Sequence, residues 1–167
     1  MATLRDGPAS SLFSPVRIKG NHRFAALGAR PFSHEIREGL PDAHRGSSVA
    51  WGIPFRIDRA LVVRDQPVHV QIVPTKARWF VFLHTSDVRP DIANEHGFIS
   101  PTRGIGKLGE RAADYVFVYA DGTEERVVIR RRHEIGSVAA HWGENCTSCV
   151  SAKKPRTLDE KTAVAGG

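Results

Sequence analysis

Between residues 114 and 130 the chain leaves little room for anything but an antiparallel hairpin. Asp114-Tyr115-Val116-Phe117-Val118-Tyr119 alternates strictly. Successive side chains of a strand point to opposite sides, so Tyr115, Phe117 and Tyr119 share one face. Ala120-Asp121-Gly122-Thr123 follows, and Asp-Gly supplies the positive φ angles that a two-residue type I′ turn requires. In the return run, residues 124–130, Glu125, Val127 and Ile129 alternate with Arg126, Val128 and Arg130. β-Branched and aromatic residues crowd the whole stretch and disfavour a helix.

Three further runs read as strands. Residues 49–57 carry Trp51, Ile53, Phe55 and Ile57 in period two, with Pro54 inside, which places this strand at a sheet edge or gives it a bulge. Residues 68–73 alternate Val68, Val70 and Ile72 with His69, Gln71 and Val73. Residues 78–84 are apolar on both faces, which predicts a central strand. Residues 60–63 suit a short extra pairing. Closely spaced strands without interleaved helices predict an antiparallel sandwich. Residues 85–110 form a long segment rich in Gly, Pro, Asp and Asn, a length that in compact domains usually serves a function. Residues 135–142 fit either a last short strand or a turn of helix. The expected division is a flexible lead at 1–10, a β-sandwich domain at 11–145 and a disordered tail at 146–167.

Composition narrows the class. A chain of 167 residues fits one domain, and a hydrophobic share of 41% with 25% charged residues is ordinary for a globular fold. No run approaches the roughly 20 apolar residues that span a bilayer. The first residues, MATLRDGPASSLFSPV, contain no apolar signal-peptide core, so an extracytoplasmic location is expected only within a larger secreted protein. The net charge of +6 admits nucleic acid or another polyanion as partner. Its one dense run, Arg130-Arg131-Arg132-His133, reads as a solvated strand end that also blunts a sheet edge.

Taken in order, several of these segments resemble a bacterial jelly-roll module of the galactose-binding-like type. They are Leu40-Pro41, GIPF at residues 52–55, Phe82-Leu83-His84, YVFVYADGTEERVVIRRRHEIG at 115–136, and Trp142. The resemblance spans roughly residues 38–142. It implies an all-β, antiparallel β-sandwich of jelly-roll type, found beside glycoside hydrolases and other polysaccharide-active enzymes. Members of that group continue past the tryptophan with closing strands and an Asn-Pro element. This chain runs instead into GENCTSCVSAKKPRTLDEKTAVAGG, so a sandwich lacking its last strands is expected.

The functional expectation is a non-catalytic module that binds carbohydrate or docks against a neighbouring domain. A sugar face packs on an aromatic ring, and Trp142, near the end of the β region, is the exposed candidate. Trp79 reads as core and Trp51 as half-buried. From the long loop, Asp87, Arg89, Asp91, Asn94 and His96 are candidates to hydrogen-bond sugar hydroxyls. The loop's Asp, Asn and Glu oxygens would also suit a structural calcium ion, although no EF-hand spacing is present. The same residues serve equally as turn formers in a solvated loop.

No catalytic set is expected. Glu124 and Glu125 point to opposite faces of one strand and cannot act as a glycosidase pair. Ser86 lies near His84 without a nucleophile elbow, and His84 reads as a histidine satisfied by backbone. Gly104-Ile105-Gly106-Lys107-Leu108-Gly109 lacks the following helix of a phosphate loop. Cys146 and Cys149 form a single C-x-x-C without the further ligands that zinc needs, and read as free thiols. Two other classes stay open: a basic nucleic-acid-binding protein and a small metal-dependent enzyme.

Overall fold

A computed structural model describes residues 6–29, 31–89, 93–98, 108–139 and 146–152. Among these, regular structure is mainly strand, with little helix. Two antiparallel hairpins carry it: β1 (Gly46–Ala50) with β2 (Ile53–Ile57), and β3 (Arg111–Val118) with β4 (Glu124–Arg130).

The first hairpin corrects the single strand expected over 49–57. Ala50 pairs with Ile53, and Trp51-Gly52 forms the connection with φ of 53° and 75°. Two successive positive φ values are the signature of a type I′ turn, which folds the run back on itself. Tryptophan rarely adopts this region, and its neighbours hold it there. Its backbone N–H donates to Asp6 Oδ2 at 2.9 Å, and its indole Nε1–H donates to the Ser151 carbonyl at 2.7 Å. Residues 6–10, within the expected lead, run beside this hairpin, with Asp6 N–H donating to Val49 O and Ser10 N–H to Gly52 O.

The second hairpin spans the expected residues, with Val118 opposite Glu124 and Asp114 opposite Val128. Its turn differs in detail. Tyr119 and Thr123 pair through Tyr119 N–H donating to Thr123 O, enclosing three residues, Ala120, Asp121 and Gly122. Only Gly122 has positive φ, at 84°. The arrangement is a turn followed by a left-handed glycine bulge. Asp121 decides it. Its Oδ1 accepts from both the backbone N–H and the hydroxyl of Thr123, a bond that suits an ordinary negative φ at the aspartate.

The expected strands at 68–73 and 78–84 are not strands. Both lack ladder pairing. Residues 80–84 instead lie over the aromatic face of β3 through their rings. Phe82 sits 5.0 Å from Tyr115 and 6.1 Å from Phe117, and Phe80 sits 5.7 Å from Phe117. Ring stacking takes the place of backbone pairing here. It leaves Trp79, expected in the core, 71% exposed.

Smaller elements tie the hairpins to the remainder. Ala60 bridges His22 through two backbone hydrogen bonds of 3.0 Å, and the Asn21 amide donates to and accepts from the backbone of Val62. A short helix, α1 (His34–Gly39), is capped by Ser33, whose hydroxyl accepts from Ile36 N–H. Leu40-Pro41 lies in a 3-10 turn. Ser86 pairs with Ser137, and Arg131 with Ile135. The buried apolar side chains among the described residues are few: Leu27, Ala50, Ile129 and Ile135.

Candidate functional site

The capping of α1 helps to form a partly polar recess. Ser33 N–H donates to Asp87 Oδ2 at 3.0 Å, and Asp87 Oδ1 accepts from Val88 N–H at 2.8 Å. These bonds draw the start of the long loop against the helix. Between them opens a cleft of about 500 Å³ lined by Pro31, Ser33, Glu35, Asp87, Val88 and Arg89.

A chain of charges backs the cleft. Arg89 Nη1 lies 3.1 Å from Glu110 Oε1, whose other oxygen lies 2.9 Å from Arg131 Nε. Arg131 Nη1 also donates to Ser86 Oγ and to the Asp87 carbonyl, both at 2.9 Å. One carboxylate is thus shared by two guanidiniums, which places arginine donors beside the Asp87 acceptor. Donors and acceptors side by side suit a hydroxyl-rich ligand. Glu110 was not legible as a partner in the sequence, and Arg131 read only as part of a solvated run. The sign of their charges was visible, but not the bulge between Arg111 and Ala113 and the bridge at Ile135 that bring them to Ser86.

The sequence candidates fall into three groups. Asp87 and Arg89 line the cleft together. Asn94 and His96 do not line it. Asn94 Oδ1 accepts from the N–H groups of His96 and Phe98 and so closes its own turn, while the His96 ring meets Glu95 at 3.4 Å on an exposed surface. Asp91 and Trp142 lie outside the described residues, as do residues 104–107 of the glycine-rich stretch. Among the described residues no group of three or more His, Cys, Asp or Glu side chains is placed to hold a metal ion.

His84 is engaged on both sides of its ring. Nε2 faces the Glu134 carbonyl at 2.9 Å and must carry the proton, so Nδ1 accepts from the Tyr115 hydroxyl at 2.8 Å. Burial holds the imidazole below its usual range, opposed by the bond to the Glu134 carbonyl, and burial raises the Tyr115 phenol. Ser86 Oγ faces Arg131 and the Gly136 carbonyl. His84 and Ser86 therefore spend their polar atoms on other partners and do not form a nucleophile–base contact.

Two arginines of the Arg130-Arg131-Arg132 run are ion-paired. Arg130 forms a paired contact with Glu134, whose carboxyl it lowers to about 2, and Arg131 meets Glu110. On β3 and β4, Asp114 sits between Arg111 and Arg126. No protein-family model matches the chain, and no curated protein or solved structure is detectably similar to it.

Proposed function

We propose that this chain is a non-catalytic accessory module of the jelly-roll sandwich type, which docks against a neighbouring domain of a larger polysaccharide-acting protein. The observation that carries this reading is the number of exposed large apolar side chains between residues 72 and 82, set among Thr75, Lys76 and Arg78. Val73 is 80% exposed and Trp79 71%, with Ile72, Phe80, Val81 and Phe82 also open to solvent. Large contiguous apolar patches are uncommon on monomers and mark contact surfaces. Burying one large apolar side chain contributes about 1.5–3 kcal/mol, and tryptophan is favoured at interface centres. The order of short motifs from Leu40-Pro41 to Gly136 supports the jelly-roll assignment.

Sedimentation of the chain with the polysaccharide-acting domain encoded beside it tests the reading. A stable complex that Trp79→Ser abolishes is expected. No complex at micromolar concentration, or no such domain beside it, would overturn it.

A second reading, direct carbohydrate binding, is favoured by one observation, the Asp87–Arg89 cleft. A shallow polar site competing with water suits weak affinity, about −4 to −8 kcal/mol. Titration with a panel of neutral polysaccharides at low and high salt distinguishes it. Binding insensitive to salt and lost in Asp87→Ala supports it. Tight binding of short nucleic acids that collapses with salt would favour a nucleic-acid protein over both.

A further inference from the structure

Residues 146–149 lie folded against the exit of β4. Thr147 N–H donates to the Arg132 carbonyl at 3.3 Å, and Ser148 N–H donates to the His133 carbonyl at 3.0 Å. The Thr147 hydroxyl also meets His133 Nδ1 at 2.7 Å. The two middle residues of the C-x-x-C are therefore pinned, and the flanking cysteines turn to the same place. Cys146 Sγ lies 3.3 Å from the point where a Cβ on Gly136 would stand, so only glycine accommodates the sulfur without displacement. The Cys149 thiol feels both Cys146 and the Gly136 backbone electrostatically. Both thiols are partly accessible and unbridged.

From this convergence we propose that Cys146 and Cys149 are a dithiol modification site, which exchanges with a small-molecule disulfide such as oxidised glutathione to form an intrachain disulfide.

The step balances as two exchanges. One cysteine loses its proton and its thiolate attacks a sulfur of the small disulfide. That S–S bond breaks, a mixed disulfide forms, and the departing thiolate takes a proton. The second cysteine then attacks the protein sulfur of the mixed disulfide and expels the second small thiol. Two protein thiols are oxidised and one small disulfide is reduced to two thiols. Burial and the contact with Cys146 push the Cys149 thiol up to about 11. The thiolate is the attacking species, and either cysteine can make the first attack while the other resolves the mixed disulfide.

The bond would act on more than one loop. The strap from Cys146 to Ser151 joins the exit of β4 to the β1–β2 turn, because the Ser151 carbonyl accepts from the Trp51 indole. Oxidation would close a ring within this strap. This inference is independent of the docking and carbohydrate readings.

Folded protein is incubated with oxidised glutathione, quenched by alkylation and weighed intact. The expected product has lost two hydrogens and resists alkylation at both cysteines. Ring closure is expected about tenfold faster in the native chain than in urea, because the fold holds the thiols together. Cys149→Ser should instead trap one glutathione on Cys146. Two glutathiones on the wild-type chain, no reaction at all, or equal closure rates in native and denatured protein would each overturn the proposal. Cys149→Ala provides the same trapping readout if the serine variant folds poorly, and the wild-type comparison does not depend on either.

Discussion

A single side chain can make stability depend on pH, and His84 is placed to do so. Its neutral form is the one the fold accommodates, through Nε2–H to Glu134 and Nδ1 to Tyr115. Burial lowers its folded-state pKa below the usual 6.5. As pH falls through 6.5 the unfolded chain takes up the proton first, so this contribution is complete above 6.5 and is lost on acidification. Glu134 is held near 2 and stays ionised throughout that window. The melting temperature of the wild type should therefore drop between about pH 7.5 and 5.5, and His84→Gln should flatten the profile while lowering stability at the upper end. A parallel profile in the variant would show that His84 is not the group responsible.

Gly20 makes a different kind of demand. A Cβ there would stand 2.6 Å from the Ala60 carbonyl oxygen and 2.7 Å from the Arg59 backbone. Backbone cannot swing away as a long side chain can, so Gly20→Ala must separate residues 20–22 from 59–62. Overpacking of this kind costs about 1–3 kcal/mol, to be read as a lower urea midpoint with an unchanged slope.

At the scale of elements, the β3–β4 hairpin turns on one left-handed residue. Nothing lies within 4 Å of the Cβ position at Gly122, so a substitution there meets no obstacle except its own φ of 84°. Gly122→Val is expected to destabilise by about 1–2 kcal/mol, the cost of forcing a β-branched residue into that region. Gly122→Asn should recover most of it, because asparagine tolerates the left-handed conformation. Equal melting temperatures for the valine variant and the wild type would contradict the turn described here. The hairpin's strands were legible because period-two alternation and a turn dipeptide agree at every position. The turn type was not, because Asp-Gly is compatible with two loop lengths. The bond from Asp121 to Thr123 distinguishes them.

Across the whole molecule, the chain keeps much of its apolar surface outside. Trp79 is the clearest case. Replacing it by serine should change stability by no more than about 0.5 kcal/mol, as for other surface positions, while removing association with a partner domain. Thermal unfolding and sedimentation of the same variant separate the two effects. A large loss of stability would place Trp79 in a core, as its sequence surroundings had suggested.

That case shows where reading from sequence stopped. Alternation and residue type sufficed for a β-rich chain with little helix, for the β3–β4 hairpin and for Pro54 on an edge strand. The strand and turn signals are local, carried by neighbours within a few positions, and the sequence marked Asp87 and Arg89 only as polar residues of a long loop; a functional role for that loop is a proposal. The sequence by itself did not decide that residues 78–84 stack on Tyr115 and Phe117 instead of joining a ladder. An apolar run suits either, and only the arrangement of distant rings selects one. Nor did it decide that Glu110 would lie between Arg89 and Arg131, or that Cys146 and Cys149 would meet at Gly136. Those contacts join residues far apart in the chain. Their energy is realised only once the backbone between them has been ordered, so no pattern confined to either partner announces them.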